Sequence, residues 1–190
     1  MYDVSDTLPQ ELNEDLMNTW STLISQPPVS ELESAQQLSF VKYTTPSAGE
    51  SVPKTVITSE SRGLILSAGT TGFRTWEAAL HLGTYLSSSE DGQRLVRGKR
   101  VIELGAGTGF ISLLIARHLG AETVLATDRD PMLVETIRRC ASRNMLQTER
   151  CDAKVWEWGT EGSLLDDDNM KFDVALGADL VRIFHFVCLC

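Results

Sequence analysis

Apolar residues recur at two spacings along this chain, and the alternation of the two spacings predicts strands and helices in turn. Short apolar runs bounded by turn-forming residues are typical of strands, and apolar residues three or four apart are typical of amphipathic helices. The predicted strands cover 55–58, 64–66, 100–102, 123–127, 153–156 and 172–179. The predicted helices cover 7–25, 30–43, a segment that ends near 86, 110–119 and 131–144. Strands that alternate with helices favour an α/β fold with a parallel sheet.

The residues ahead of the first predicted strand form a helical part and a linker. Helical spacing over 7–25 places Leu16 and Trp20 on one face, and we expect Trp20 to belong to a core. Residues 44–53 hold two prolines, a glycine and two serines, a composition typical of a linker.

Seven residues, from Glu103 to Gly109, place a carboxylate and a glycine-rich loop between a predicted strand and a predicted helix. Glycine lets the backbone turn sharply and approach a ligand, and open α/β sheets bind ligands at the carboxyl ends of their strands. A dinucleotide-binding loop would have a third glycine where this chain has Phe110. Glu103 favours a ligand with a cationic amino group over a pyrophosphate. A tight turn without a ligand is the alternative interpretation.

A second carboxylate follows the next predicted strand. Asp128 comes directly after 123–127 and lies about 20 residues past the glycine loop. An acidic side chain at this distance can accept hydrogen bonds from ribose hydroxyls. Strand, loop, helix, strand and acid in this order therefore predict a nucleoside-binding edge of the sheet.

Composition narrows the classes of partner. The chain has 190 residues, 42% of them hydrophobic, and a formal net charge of −9 that opposes binding to a nucleic-acid backbone. We expect no membrane span, and the polar, acidic N-terminus is unlike a secretory signal, so we expect a cytoplasmic protein. We expect no metal site, because metal-ligand spacing is missing from the four cysteines, Cys140, Cys151, Cys188 and Cys190.

Several stretches of this sequence occur in an order that resembles a known family. They are GTTGFRTWEAAL from Gly69, ELGAGTG from Glu103, the turn at Asp128, WEWG from Trp156 and FDVALGAD from Phe172. The set resembles the seven-β-strand protein-lysine methyltransferases of the METTL21-like group. The first stretch is most similar to the FAM86 branch, which methylates a lysine of translation elongation factor 2.

The resemblance covers about residues 55–181 and implies a Rossmann-like seven-strand methyltransferase fold, of which the first four strands are readable here. It also implies S-adenosylmethionine as cofactor and a protein substrate. We therefore divide the chain into a helical N-terminal extension with its linker at 1–53, a partial S-adenosylmethionine-binding domain at 54–181, and an apolar tail unlike the family at 182–190.

The methionine end of the cofactor has an implied set of partners in this sequence. By resemblance, Trp76 contacts that end, Glu103 lies beneath the amino group, and the loop residues Gly105, Ala106 and Gly107 line it.

The nucleoside end has its own implied set. By resemblance, Asp128 holds the ribose hydroxyls, Trp158 packs against the adenine, and Ala178 leaves room for the cofactor. We assign Trp156, which alternates with Trp158, to packing.

The resemblance makes Asp179 the candidate catalytic residue, because a carboxylate can orient an incoming lysine ammonium. A cap at the end of the strand is the alternative role. The family has Asp-x-x-Tyr here, whereas this chain has Arg182 at the tyrosine position. We expect residues 182–190 to come from a retained intron or a misplaced gene end, and we expect the chain to be cut short.

Three functions remain open at this point. The first is a protein-lysine methyltransferase acting on elongation factor 2. The second is an inactive fragment of such an enzyme that binds the cofactor or a partner, which Arg182 and the early end favour. The third is a dinucleotide-dependent oxidoreductase, which Phe110 and Glu103 oppose.

Overall fold

The computed structural model describes residues 10–25, 37–45, 52–61, 70–157 and 171–180. The described helices are α1 (Gln10–Ser25), α2 (Glu77–Ser88), α3 (Glu90–Val96), α4 (Phe110–Leu114), which continues as a π-helical segment (Ile115–Leu119), and α5 (Pro131–Arg143). The described strands are β1 (Leu38–Thr44), β2 (Thr55–Ser61), β3 (Arg100–Leu104), β4 (Thr123–Asp128), β5 (Cys151–Val155) and β6 (Val174–Leu176).

Four of these strands form a parallel sheet in the order β5-β4-β3-β6. The chain moves outward from β3 through β4 to β5 and then returns to the other side of β3 to form β6. The strand order therefore reverses between β3 and β6, and open α/β sheets bind ligands outside the carboxyl ends of their strands at such a switch point. This architecture confirms the predicted α/β, Rossmann-like fold.

The main core lies where β3 and β4 meet α4. Buried apolar side chains of the central strands, such as Val101 and Val124, pack with Ile111, Leu113 and Leu114 of α4, which are almost fully buried. α5 has an amphipathic pattern and buries one face against the sheet. Its first residue is Pro131, and the Asp130 side chain caps it by accepting a hydrogen bond from the Met132 amide at 2.8 Å.

The predicted helix over 30–43 is wrong in the part that the structure describes. Residues 38–44 form β1, which pairs antiparallel with β2 from Leu38 opposite Ser61 to Thr44 opposite Thr55. The sequence of β1, LSFVKYT, is rich in β-branched and aromatic residues, which favour a pleated surface. Pairing along the whole of β2 supplies the backbone partners that a helix would have supplied internally.

Other element bounds differ from the sequence prediction in smaller ways. α3 was not predicted, the fourth strand of the sheet is limited to Val174–Leu176, and β5 begins two residues earlier than expected. Ser89 begins α3 by accepting a hydrogen bond from the Gly92 amide at 2.8 Å. The strand predicted over 64–66 lies outside the described residues.

The predicted N-terminal helix is confirmed as α1, but its apolar face is not a core. Leu16, Trp20 and Ile24 are 58%, 61% and 65% exposed, so the expectation that Trp20 is buried is wrong. The chain divides into two compact units, Met1–Ser34 and Ala35–Cys190. β1 belongs to the second unit because it pairs with β2. The division of the chain at 53 and 54 into an N-terminal extension and a cofactor-binding domain stays a prediction.

One buried amide joins the β1–β2 hairpin to the sheet domain. Asn144 is 1% exposed; its Oδ1 accepts a hydrogen bond from the Ile57 amide at 3.0 Å, and its Nδ2 donates to the Ile57 carbonyl at 2.7 Å. Nδ2 also donates to the Cys140 carbonyl at 2.8 Å, and Arg117 donates to Oδ1 at 2.9 Å. Asn144 therefore occupies the place of a neighbouring strand residue beside β2.

We predict that Asn144→Ala lowers the free energy of unfolding by about 2–4 kcal/mol, because it leaves the partly buried backbone groups of Ile57 and the buried Cys140 carbonyl without this partner. Denaturant unfolding of the purified chain measures this change. Gln147→Ala, at an exposed residue of the following turn, is the matched control and should change it by less than about 0.5 kcal/mol. Equal effects of the two substitutions would contradict the anchoring role of Asn144.

Candidate functional site

The glycine loop and Asp128 meet at the carboxyl edge of the sheet, as predicted. The Gly107 amide donates to Asp128 Oδ2 at 3.0 Å, and the Asp130 amide donates to Oδ1 at 3.1 Å. The Ala106 amide donates to the Thr127 carbonyl at 2.8 Å. The Gly107 and Ala106 bonds tie the loop after β3 to the end of β4, which is adjacent to β3 in the sheet, and the Asp130 bond lies within the turn after β4. The loop is therefore held to the neighbouring strand by backbone donors and one carboxylate.

Left-handed backbone conformations explain the glycines of this loop. Gly105, Gly107 and Gly109 have φ angles of 61°, 54° and 74°, a region that disfavours residues with a Cβ. A Cβ on Gly107 would lie 3.1 Å from the Gly72 carbonyl oxygen, and one on Gly109 would lie 2.9 Å from Ile137 Cγ1. The loop thus packs against other parts of the chain, and Gly107 touches the segment that precedes α2.

Ala106 has a different environment from its neighbours in the loop. It is 8% exposed and belongs to a small apolar cluster with Ala126, Val134, Ile137 and Ala153. Its side chain therefore packs in the core beneath the loop, whereas Gly105 is exposed. The predicted contact of both residues with a cofactor stays a prediction.

Glu103 lies at the end of β3 and is 3% exposed. Its Oε2 accepts a hydrogen bond from the Ser112 amide at 2.9 Å and another from the Ser112 hydroxyl. Burial raises the pKa of the Glu103 carboxyl to about 7, although the Ser112 hydrogen bonds act in the opposite direction. Glu103 therefore braces the first turn of α4, and its expected place beneath an amino group stays a prediction.

Trp76 precedes α2 beside the glycine loop. Its indole Nε1 donates to the Thr71 carbonyl at 3.1 Å, and the Arg74 guanidinium lies 5.4 Å from the centre of its ring. Gly72, four residues earlier, is the residue that approaches Gly107. The structure thus brings the segment that contains Trp76 to the same edge of the sheet as the glycine loop.

The end of β6 supplies the remaining described candidates. β6 pairs with β3, with Leu176 opposite Glu103, so the residues after both strands emerge at the same edge. Ala178 is half-buried and packs against the main core, whereas Asp179 is exposed and has a φ of 57°. A left-handed φ is uncommon for a residue other than glycine, although aspartate tolerates it better than most residues do.

Of the two tryptophans that follow β5, the structure describes Trp156. Trp158 and Arg182 lie outside the described residues. The Trp156 amide donates to the Asp128 carbonyl at 2.9 Å, which places Trp156 at the same edge. Its indole Nε1 is buried and has no hydrogen-bond partner in the described part of the chain. A buried donor without a partner is uncommon and marks this residue as a further candidate beside Asp128.

Sequence reasoning missed three residues that the structure places behind the loop. Thr108 of the loop and Thr75, next to Trp76, are both buried, and their hydroxyl oxygens lie 2.6 Å apart. Glu60 of β2 is 5% exposed and bonds to Thr75. The available signal was a threonine at the centre of one motif and another within the second motif, but nothing in the sequence indicated that they touch.

The donor and acceptor groups at this edge fit a ribose-containing ligand. Each Asp128 oxygen accepts one backbone amide, from Gly107 or from Asp130. A carboxylate has about four lone-pair sites, so about two stay available for two ribose hydroxyls. In the described ranges, no group of three or more His, Cys, Asp or Glu side chains could hold a metal ion.

Burial raises the pKa of both described cysteines, Cys140 and Cys151, and both are free thiols. The described helices include none that is both long and apolar enough for a membrane span.

Comparison with known proteins gives matches along most of the chain. The sequence model of a family described as lysine methyltransferase matches residues 62–187. Protein-lysine N-methyltransferase EFM3 of Chaetomium thermophilum is 38% identical over 183 residues, which span 93% of this chain and 54% of that protein. EFM3 of Saccharomyces cerevisiae is 35% identical over 152 residues, spanning 69% and 42%. EEF1A lysine methyltransferase 3 of Mus musculus is 36% identical over 110 residues, spanning 58% and 44%.

The chain spans about half the length of the curated relatives it matches. Among solved structures, a ribosomal protein L11 methylase from Lactobacillus delbrueckii has a TM-score of 0.41 and 22% identity, covering 55% of this chain and 47% of that chain. TYW2 of M. jannaschii, solved with AdoMet, has a TM-score of 0.39 and 10% identity, covering 60% and 42%. Scores this low do not carry a function from one chain to another.

We predict that Glu103 makes stability depend on pH in a direction opposite to that of most carboxylates. Its folded-state pKa of about 7 lies above the ordinary value of 4.5, so the stabilisation is full below about pH 4.5 and is lost as pH rises through 7. Relative to Glu103→Gln, the original chain should lose on the order of 2–3 kcal/mol of unfolding free energy between pH 5 and 8. Denaturant unfolding at intervals across that range measures the difference.

The matched control for this prediction is Glu135→Gln, at an exposed residue of α5. Its unfolding free energy should follow that of the original chain across the same pH range. If the curves of Glu103→Gln and the original chain run parallel, the raised pKa of Glu103 is refuted.

Proposed function

This chain belongs to the lysine methyltransferase family, and we propose that it transfers the methyl group of S-adenosylmethionine to a lysine of translation elongation factor 2. The observation that supports the cofactor assignment is the carboxylate of Asp128, tied to the glycine loop and retaining acceptor sites for two hydroxyls. The FAM86-like stretch from Gly69 to Leu80 supports elongation factor 2 as the target. Since the chain spans about half of its relatives, its own activity is part of the proposal.

In this proposal, different residues at the carboxyl edge of the sheet bind different parts of the cofactor. Asp128 holds the ribose hydroxyls, and the glycine loop admits the cofactor because no Cβ lies in its path. Trp76 packs against the methionine end, and Ala178 is small enough to leave space at the end of β6. Trp158, in the proposed role of packing against adenine, completes the set outside the described residues.

The transfer step asks mainly for positioning. When bound, S-adenosylmethionine would supply an activated methyl group on a sulfonium. The nitrogen of a neutral lysine amine would bond to the methyl carbon as the carbon–sulfur bond breaks, S-adenosylhomocysteine would leave, and the methylated amine would release one proton. Asp179 is exposed at the switch point of the sheet, where its carboxylate orients the incoming lysine by charge-assisted hydrogen bonds. Catalysis of this kind depends on holding the amine in line with the methyl group and on excluding water.

One of the relatives suggests a different acceptor protein. The mouse relative is named as an EEF1A lysine methyltransferase, so elongation factor 1A is the alternative acceptor. The two EFM3 relatives have names that specify no acceptor protein.

We predict that Asp128→Ala weakens the binding of S-adenosylhomocysteine by about 1–3 kcal/mol, because ribose hydroxyls and the Gly107 amide lose their acceptor. Isothermal titration calorimetry of the purified chain measures the change. Asp152→Ala removes an equal charge from the other end of the sheet and is the matched control, with no expected change. Binding that survives Asp128→Ala undiminished would move the ribose partner elsewhere, and binding of NAD in preference to S-adenosylhomocysteine would favour an oxidoreductase.

Transfer of a radiolabelled methyl group from S-adenosylmethionine to recombinant elongation factor 2 tests the proposal, and we predict that Asp179→Ala reduces any label that the original chain transfers by more than about tenfold. Asp91→Ala, at an exposed carboxylate of α3, is the control and should leave the label unchanged. Elongation factor 1A is offered in a parallel reaction. Label on that protein alone would replace the proposed target, and cofactor binding without label on either protein would support the binding-fragment alternative.

A further inference from the structure

A buried carboxylate lies behind the glycine loop and takes no part in the proposed transfer. Glu60 Oε1 accepts hydrogen bonds from the Thr58 hydroxyl at 2.6 Å and the Thr75 hydroxyl at 2.8 Å. Its Oε2 accepts the Thr75 amide at 3.2 Å. Glu60 is 5% exposed, and burying a carboxylate is costly unless such donors surround it.

The direction of the hydrogen bonds leads from Glu60 to the loop. A threonine hydroxyl has one hydrogen, and that of Thr75 is directed to Glu60. The Thr75 oxygen can therefore only accept from the Thr108 hydroxyl, which lies 2.6 Å away. The chain of donors runs from Thr108 through Thr75 to the carboxylate, and each link depends on Glu60 being an acceptor.

This network joins three segments that are far apart in sequence. Glu60 belongs to β2, Thr75 directly precedes Trp76, and Thr108 is part of the glycine loop. A backbone hydrogen bond of 2.9 Å from the Ser61 amide to the Phe73 carbonyl holds β2 to the same segment. The loop is thus held on one side by the hydrogen bond from Gly107 to Asp128 and on the other by the hydrogen bond between Thr108 and Thr75.

We propose that Glu60 is a positioning residue for the cofactor site, holding the glycine loop through Thr75 and Thr108 in the conformation that receives S-adenosylmethionine. The proposal rests on the proposed function, because it assigns Glu60 to the same site. The loop contains three glycines, whose backbones adopt many conformations readily, so contacts from neighbouring segments are needed to hold one of these conformations. Glu60 does not contact the substrate and acts only through the two threonines.

The chemistry of the network requires a carboxylate in particular. A glutamine at position 60 would turn an NH₂ group, a donor, toward at least one of the donors that converge there. Tyr43 lies in the same environment, and burial raises its pKa to about 12, so its phenol stays protonated as a further potential donor. Glu60→Gln therefore changes little volume but leaves one donor unmatched.

The test uses two variants in the network, a rescue and a control. Glu60→Gln removes the acceptor, and Thr108→Val removes the loop hydroxyl at nearly constant volume. Thr108→Ser restores that hydroxyl. Thr58→Val removes a different donor to Glu60 and leaves the path to the loop intact. For each, calorimetry gives the Kd for S-adenosylhomocysteine well below the Tm, and hydrogen exchange of the peptide spanning residues 105–109 reports on the loop without ligand.

We expect Glu60→Gln and Thr108→Val each to raise the Kd about tenfold and to speed exchange in 105–109. The double variant should be less impaired than the product of the two effects, because both break one chain of bonds. Thr108→Ser should stay within about threefold of the original Kd. Thr58→Val should lower the Tm but leave the Kd and the loop exchange unchanged.

A purely structural role would lower the Tm in Glu60→Gln and Thr108→Val without changing the Kd or the exchange of 105–109, and that result would overturn the proposal. If Glu60→Gln does not fold, the pair Thr108→Val and Thr108→Ser decides the outcome by the same readouts. Failure of the original chain to bind S-adenosylhomocysteine would overturn the proposed function instead. The exchange data would then still show whether Glu60 holds the loop.

Discussion

The hydrogen bond from the Gly107 amide to the Asp128 carboxylate connects the parts of the molecule on which the candidate site depends. It joins the loop after β3 to the end of β4, and parallel pairing of these strands brings the two residues to one edge. A carboxylate there can serve the protein and a ligand at once, because its lone pairs exceed the loop amides that it accepts. The candidate site therefore depends on the order of the strands and on the Asp128 carboxylate, which can accept more hydrogen bonds than the backbone amides beside it donate.

The β1–β2 hairpin is joined by hydrogen bonds to the parallel-sheet domain and to the segment ahead of Trp76. Asn144 bonds to both backbone groups of Ile57, and Glu60 on the same strand bonds to Thr75. Both links use buried polar groups, which are costly when unpaired and directional when paired. The hairpin thus fixes the segment ahead of Trp76 against the glycine loop, and buried hydrogen bonds, rather than apolar contacts alone, set the geometry behind the loop.

Burial gives the two acidic residues at the strand ends different properties. Glu103 is almost wholly buried, so its pKa is raised and its bonds to Ser112 serve the start of α4. Asp128 is half-buried and faces the loop amides, which leaves it open to a ligand. Two carboxylates at the ends of adjacent strands therefore have different surroundings, and the predicted cofactor contact of each stays a prediction.

The sequence by itself determined the fold class, the order of the central strands along the chain, the glycine loop and the carboxylate that follows it, because periodicity and glycine requirements are local properties. It also carried the family, through motifs that occur in one order. Tertiary structure alone decided that 38–44 is a strand, because the helix predicted there came from a short apolar pattern and the partner strand β2 is what distinguishes the two structures. It alone decided that the apolar face of α1 is exposed and that Glu60 reaches Thr108, because burial and long-range hydrogen bonds depend on which distant segments the fold brings together.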